Sequence, residues 1–529
     1  PLLLKHLAGG IKYAIGAGTP VDYSRAYSEV MPEENRFTKV LLTQNLNEPM
    51  ELDFLSDDKI IFIERKGGIH VFDLSVGQDQ LIAKLPVHTG HEDGLLGVAV
   101  DPNYTDNNWV YFFYSPPGDT PKQHVSRFTL ENDSLLTDSE KVLLEIPTQR
   151  EECCHSGGSL EFGPNGNLFI SVGDNTNTHE SDGYGPIDER EGRSPWDAQK
   201  SASNTNDLRG KILRIKPETN GSYSIPEGNL FAADVSVGRP EIYIMGNRNP
   251  FRISIDSRTG YLYWGEVGPD ARENSVSRGP KGHDEINQAK QAGNYGWPYF
   301  VADNKAYHDY DFAAEESDKA FNPEKPVNNS PNSTGATELP PAQPAMVYYP
   351  YDASEEFPLL GTGSRNAMAG PVYYQDDYAE SGRYFPEYFN GKLFVYDWMR
   401  QWIFLATMDE QGNLEKLTPF VPNMKFNNTI DMTFGPDGAL YILEYGSGWF
   451  SQNPDSKLAR IEYTAGNRAP IAKLEADKTI GGVPLTVQFA GRNSIDYDAD
   501  PLTYQWNFGN EDAESSETNP SYIFEEPGV

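Results

Sequence analysis

The sequence predicts an all-β chain, a six-bladed β-propeller followed by a small β-sandwich, and three features carry that expectation. Few stretches place apolar residues at i, i+3, i+4 and i+7, whereas short β-branched and aromatic runs closed by Gly, Pro, Asn or Asp recur throughout. Several of those runs share one plan: an alternating strand, a tight turn, and a second strand rich in Tyr, Phe and Ile. Near residue 465 the texture changes to a compact sandwich pattern with its own Trp506.

The elements follow in order. Residues 1–37 open with "PLLLKHLAGGIKYAIGAG" and read as an extension, the tail of a preceding domain of the same polypeptide. The propeller is expected over 38–465. Its hairpins are "LDFLSDDKIIFIERKGGIHVFDL", "VAVDPNYTDNNWVYFFYS", "LEFGPNGNLFISVGD", "ISIDSRTGYLYWGEVGPD", the divergent "YFNGKLFVYDWMRQWIFLATMDEQGNL" and "MTFGPDGALYILEYGSG". A strand–turn–strand unit repeated about six times buries its faces only against its neighbours, which favours a ring of blades over a long β-sandwich array. Uneven spacing leaves long loops at 174–210 and 301–365, where function is expected to concentrate. Residues 466–529 form the sandwich, which is expected to lack its last strand.

Composition narrows the partners. A net charge of −35 argues against nucleic acid, because phosphate recognition needs clustered Lys and Arg and no such cluster exists here. Acidity suits a neutral or cationic ligand, or calcium. No apolar run reaches the roughly 18 residues needed to span a bilayer. The 12% aromatic content, with 30 Tyr and 26 Phe, supplies the bulk for a large core. The 2 cysteines are adjacent, at Cys153 and Cys154. They can pair only with each other, bind something or stay reduced. A bridge between neighbours is strained, because a trans peptide sets Cα atoms about 3.8 Å apart and disulfides prefer about 4.4 to 6.8 Å.

Four loops place polar groups next to strands, where a propeller exposes them around its axis. "GHEDGLLG" offers Glu92 and Asp93, "CCHSGGSL" offers His155, and "SVGDN" offers Asp174 one hairpin later. An imidazole followed by a carboxylate on the next strand can be a base and the group that orients it, although a buried histidine satisfied by a turn gives the same pattern. "IMGNRNPFR" supplies Arg248 and Asn249, a rigid fork of donors beside an adjustable amide, suited to carboxylates or quinone-like oxygens; an arginine capping loop carbonyls is the plainer reading. "GEVGPD" gives Gly268 and Pro269, whose carbonyls can face a cation such as calcium, with Asp284 and Glu285 behind.

Together these segments resemble a known family. "DGLLGVAVDPNY", "HSGGSLEFGPNGNLFISVGD", "NDLRGKILRI", "GNRNPFR" and "EVGPD" with "DEINQAKQAGNYGWP" stand in the order seen in the glucose/sorbosone dehydrogenases, soluble aldose dehydrogenases that use pyrroloquinoline quinone (PQQ). The resemblance implies a six-bladed propeller with PQQ over its axis, a calcium ion polarising the quinone, and hydride transfer from a sugar. It implies further that His155 is the general base, Asp174 its orienting carboxylate, Glu92 a contact near the substrate, Arg248 and Asn249 cofactor ligands, and Gly268 and Pro269 carbonyl ligands of calcium. Where the glucose-oxidising members carry two arginines that neutralise PQQ, this chain has Asn428 and Ile430, and a family lysine falls near Met399. Leaving the cofactor's carboxylates without cations would cost several kcal/mol, so Arg365, Arg400 and Lys425 are the candidate replacements. The readings left open are a PQQ- and calcium-dependent sugar oxidoreductase, a propeller using the same pocket for another carbohydrate reaction, and a non-catalytic carbohydrate-binding module. An extracellular or periplasmic protein is the expected context for all three.

Two further resemblances concern the ends. "DPLTYQWNFG" and the acidic turn at Asp496, Asp498 and Asp500 resemble a PKD-type domain, and "LLLKHLAGGIKYAIG" resembles the end of a trehalose-utilisation-type domain. Beside His155, a vicinal Cys153–Cys154 disulfide would form a rigid plate lining the pocket.

Overall fold

The computed structural model describes residues 30–177, 179–232, 237–378, 382–468, 470–509 and 514–528. Most of the expected N-terminal extension, residues 1–29, lies outside them. The chain divides into a larger unit, Lys39–Glu462, and a smaller one that takes in the residues from Tyr463 onward.

In the larger unit the hairpin runs become six sheets of four or more strands. Blade 1 is Pro49–Ser56, Lys59–Glu64, Gly68–Asp73 and Gln78–Lys84; blade 2 is Leu95–Val100, Trp109–Tyr114, Lys122–Glu131 and Ser134–Pro147. Blade 3 is built on Gly157–Phe162, Leu168–Val172, Lys211–Pro217 and Ile242–Met245, and blade 4 on Pro250–Ile255, Leu262–Glu266, Asp284–Ala289 and Val347–Tyr349. Blade 5 is Ala367–Tyr373, Lys392–Asp397, Trp402–Met408 and Leu414–Phe420. Blade 6 closes the ring: Thr429–Phe434, Leu440–Glu444 and Lys457–Tyr463 pair in order, and the outermost strand is Phe37–Gln44, from the start of the described chain. The first-named strands of blades 1 to 6 touch their neighbours in sequence, and blade 6 touches blade 1. The expected six-bladed, nearly all-β architecture is observed, and a sandwich array is excluded.

Burial follows position in the blade. Leu95–Val100 is buried along nearly its whole length, while Gln78–Lys84, at the rim, is mostly exposed. That gradient explains the sequence pattern: inner strands read as continuous apolar runs and outer strands alternate. Rings fill the wedge between blades 5 and 6, where Tyr373, Phe385, Phe394 and Phe434 pack with centroids 4.6 to 6.3 Å apart.

The inner strands enclose an axial channel of about 240 Å³ lined by Glu51, Asp53, Glu161 and Asp431 among apolar neighbours. Burial pushes Glu51 up to about 8 and Asp53 up to about 6, and drives Glu161 well above the usual carboxylate range. One cation meets this acidity. Arg252, on the inner strand of blade 4 and 1% exposed on its side chain, donates to the Ile430 carbonyl of blade 6 at 3.0 Å and to the Met50 carbonyl of blade 1. Its guanidinium also lies 3.7 Å from Asp431 and 3.9 Å from Glu51.

The smaller unit has one sheet of Glu475–Ala476, Leu485–Ala490 and Ser521–Phe524 and a hairpin of Trp506–Asn507 with Glu514–Ser515. Phe508 stacks on Tyr522 at 4.5 Å. The acidic turn is organised internally: Asp496 accepts the amides of Asp498 and Asp500, and Asp498 pairs with Arg468 at 2.8 Å.

Candidate active site

Each blade presents the loop that leads into its inner strand and the loop that leaves its second strand on the same face of the ring. In blade 3, Gly157 faces Val172 across the hairpin. His155 and Asp174 each lie two residues beyond that pair, which sets them opposite each other at the open end. Gly173 makes this approach possible, since a Cβ there would lie 2.2 Å from the His155 carbonyl oxygen. His155 itself adopts a left-handed φ of 62°, an uncommon conformation for a residue with a side chain and one that surroundings must hold in place.

His155 Nδ1 and Asp174 Oδ1 are 2.6 Å apart, and both residues are buried. The Asp174 carboxylate also accepts the Trp297 indole N–H at 2.8 Å and the Thr176 amide at 3.0 Å. Three donors fix it from three directions. With Nδ1–H directed to Asp174, Nε2 is the basic nitrogen, and it has no hydrogen-bond partner among the described residues.

Glu92, expected from sequence near the substrate, engages the backbone of the histidine segment. Its Oε2 accepts the His155 amide at 2.7 Å and the Ser156 amide at 3.3 Å. Cys153 and Cys154 are joined in a vicinal disulfide, and both sulfurs lie within 4.8 Å of the Glu92 carboxylate. Asp93 takes Arg150 at 2.9 Å and, through its carbonyl, Arg65 at 2.8 Å. The segment carrying the histidine is therefore clamped by covalent, ionic and hydrogen bonds.

The loop into blade 4 supplies a cation, Arg248. The amides of Arg248 and Asn249 both donate to Glu266 Oε1 at 2.6 Å. Burial and the neighbouring Glu285 hold Glu266 well above the usual carboxylate range. The Arg248 guanidinium reaches the Val267 carbonyl at 2.6 Å and Asp270 at 3.2 Å, while Asn249 Oδ1 accepts the Gly157 amide at 3.0 Å. Burial works against ionisation of Asp270, but Arg248 and the Tyr351 hydroxyl, 2.7 Å away, hold its carboxyl below the usual range. His155, Arg248, Pro269, Asp270, Tyr184 and Trp297 line one opening.

The remaining candidates divide. Arg365, buried, donates to the Pro269 carbonyl, lies 3.0 Å from Asp284 Oδ1 as an ion pair, and covers the Tyr351 ring at 3.9 Å. Asp284 also accepts the Gly268 amide at 3.0 Å and the Ala367 amide at 2.9 Å. Arg400 directs its donors to the carbonyls of Pro350, Leu360, Gly361, Gly363 and Ser364, so it fastens that loop and has no free edge for a cofactor carboxylate. Lys425 is exposed. Asn428 bonds the Trp398 carbonyl at 2.9 Å, and Ile430 is buried. Sequence reasoning did not single out Asp270, Tyr351, Glu266 or Trp297 as site residues. Asp270 and Trp297 stand inside the "EVGPD" and "NYGWP" segments, which was the available signal, whereas Tyr351 lies in an irregular loop with no pattern to mark it.

A propeller face carrying a buried His–Asp pair, with a guanidinium group and a carboxylate over one opening, is suited to a small polar molecule. The chain belongs to the glucose/sorbosone dehydrogenase family, whose profile matches residues 46–358, and a PKD domain matches residues 467–529. Quinoprotein glucose dehydrogenase B of Acinetobacter calcoaceticus is 27% identical over 479 residues, covering 84% of this chain and 91% of that protein. The aldose sugar dehydrogenase of Escherichia coli K12 is 28% identical over 263 residues, 49% of this chain and 61% of its own. Among solved structures, the PQQ-bound aldose sugar dehydrogenase of Streptomyces coelicolor superposes with a TM-score of 0.52 over 80% of this chain and 98% of its own, at 17% identity, a likeness of fold. Among the described residues, no helix is long and apolar enough to cross a membrane.

Proposed function

We propose that the chain is a sugar dehydrogenase in which His155 is the general base. The observation that supports this most directly is the 2.6 Å contact between Nδ1 and Asp174, which leaves Nε2 as the proton acceptor at the opening. Oxidation of a sugar hydroxyl to a carbonyl removes a proton from oxygen and a hydride from the adjoining carbon. His155 Nε2 takes the proton; Asp174 keeps the tautomer and stabilises the imidazolium that forms. Bound PQQ supplies the hydride acceptor. The donor set suits a planar molecule bearing carboxylates: Arg248, which lines the opening, would hold it, with the buried Arg365 adding a second positive charge behind the same loop. Asn249, Arg400 and Lys425 are left out of this role, the first because its amide oxygen is turned to Gly157, the second because its donors are engaged elsewhere, the third because it is exposed.

The neutral Asn428 and Ile430 favour a second reading, acid–base chemistry on a carbohydrate without a quinone. Titration with PQQ followed by absorbance, then dye-linked oxidation of a sugar panel, separates the two. The proposal expects quinone binding and aldose turnover, lost in His155→Ala with binding retained. Turnover without quinone would select the second reading. A vicinal disulfide supports an oxidising compartment, extracellular or periplasmic.

A further inference from the structure

Of the two carbonyl oxygens expected to ligate calcium, that of Pro269 is already engaged by a cation. Calcium takes six to eight oxygens at about 2.3 to 2.6 Å and depends on carboxylates for charge. At this loop the Pro269 carbonyl accepts from Arg365 Nη2, and Asp284, the adjacent carboxylate, pairs with the same guanidinium at 3.0 Å. The other donors to Asp284 are backbone amides, at 3.0 and 2.9 Å. Gly282 leaves the space for this contact: a Cβ there would lie 1.6 Å from the Pro269 oxygen and 2.8 Å from Arg365 Nη2. The guanidinium is fixed further by the Tyr351 ring at 3.9 Å, and Tyr351 is tied to Asp270 at 2.7 Å.

We infer that Arg365 occupies the cation position of this site, excluding calcium and supplying the positive charge in its stead. This deepens the dehydrogenase reading and rests on it for the identity of what the charge meets. A divalent ion on the Pro269 oxygen would stand within a few ångströms of a buried guanidinium, and the two nearby carboxylates are already engaged, Asp284 by Arg365 and Asp270 by Arg248 and Tyr351. A guanidinium also offers directed N–H donors, so an acceptor's carbonyl or carboxylate oxygen would receive hydrogen bonds where a metal would give coordination. Such a site works in the presence of chelator.

Calcium calorimetry on metal-free protein tests this. Wild type is expected to show no binding that depends on Asp284. Arg365→Ala, which frees the Pro269 oxygen and the carboxylate, is expected to gain a site with Kd of roughly 10⁻⁴ to 10⁻³ M, seen also as a calcium-dependent rise in Tm, whereas Arg365→Lys, which keeps the charge, gains none. Calcium binding by wild type that disappears in Asp284→Asn would overturn the inference, as would a folded Arg365→Ala that gains nothing. Quinone titration of the same chelated wild type is read separately. Failure there with the calcium pattern intact removes the dehydrogenase reading and leaves the exclusion of calcium standing.

Discussion

Replacing Asp174 by Asn keeps the shape of the side chain and changes what it can accept. The carboxylate receives His155 Nδ1–H on one oxygen, with the Thr176 amide, and the Trp297 indole on the other. Asparagine has one acceptor oxygen. If its NH2 faces the indole, two donors oppose each other in a buried site, costing about 1 to 3 kcal/mol. If it faces the imidazole, Nδ1 must become the acceptor, the proton moves to Nε2, and the base is lost. The second arrangement also turns the NH2 toward the Thr176 amide, so either way one fixed donor is opposed; in the first the imidazole loses the charge that stabilises its protonated form, in the second its tautomer, and both weaken the base. Asp174→Asn should therefore lower kcat by roughly 10³ to 10⁴, with KM changed no more than a few-fold, because the residue positions another group and touches no substrate. Steady-state kinetics with a saturating acceptor, alongside thermal melts, provide the assay. Trp297→Phe is the control: it removes the competing donor, so its melting temperature should fall while kcat changes less than tenfold. Asp174→Asn with a stable fold and kcat within tenfold of wild type would refute the reasoning.

Two other consequences are open to measurement. The axial carboxylates are all pushed upward, Asp53 to about 6, Glu51 to about 8, and Glu161 and Asp431 in the same direction, all chiefly by burial. An acid whose folded value lies above its unfolded one stabilises the fold below the unfolded value and loses that contribution as pH rises to the folded value, so the share of Asp53 should fall from about pH 4 to about pH 6 and that of Glu51 on to about pH 8; Asp53 alone accounts for up to about 3 kcal/mol. Melting temperatures across that range should show the slope, and Glu161→Gln should flatten it. Arg400→Ala should release the loop at 350–364, reducing stability by about 2 kcal/mol and opening it to proteolysis near Gly361 and Gly363; unchanged protease resistance would show that the loop is held otherwise.

The ring was legible because each blade repeats a local pattern. "LEFGPNGNLFISVGD" became Leu168–Val172 paired with Gly157–Phe162 around its turn, and the others followed suit. His155 and Asp174 could be seen as a pair because hairpin register brings them together. What stayed hidden depends on contacts between distant loops. Arg365 was visible as a spare cation, but its engagement by Pro269 and Asp284, 96 and 81 positions away, follows from how blades 4 and 5 abut. Glu92 carried the right charge in the right loop, and only the clamp on residues 153–156 shows that it faces backbone. Arg252 stands as one polar position in "FRISI", with nothing nearby in the sequence to announce partners in blades 6 and 1.

That arginine bears on how the molecule moves. A ring of wedges held only by neighbour contacts can breathe, each blade tilting a little and the bore widening. Arg252 acts as a spoke across the hub, bonded to strands two and three blades away, so opening the bore would break charge-assisted bonds in an apolar, acidic interior. Adjustment to a visiting molecule then falls to the loops on the face, while the hub stays rigid and keeps His155 and Arg248 at fixed spacing.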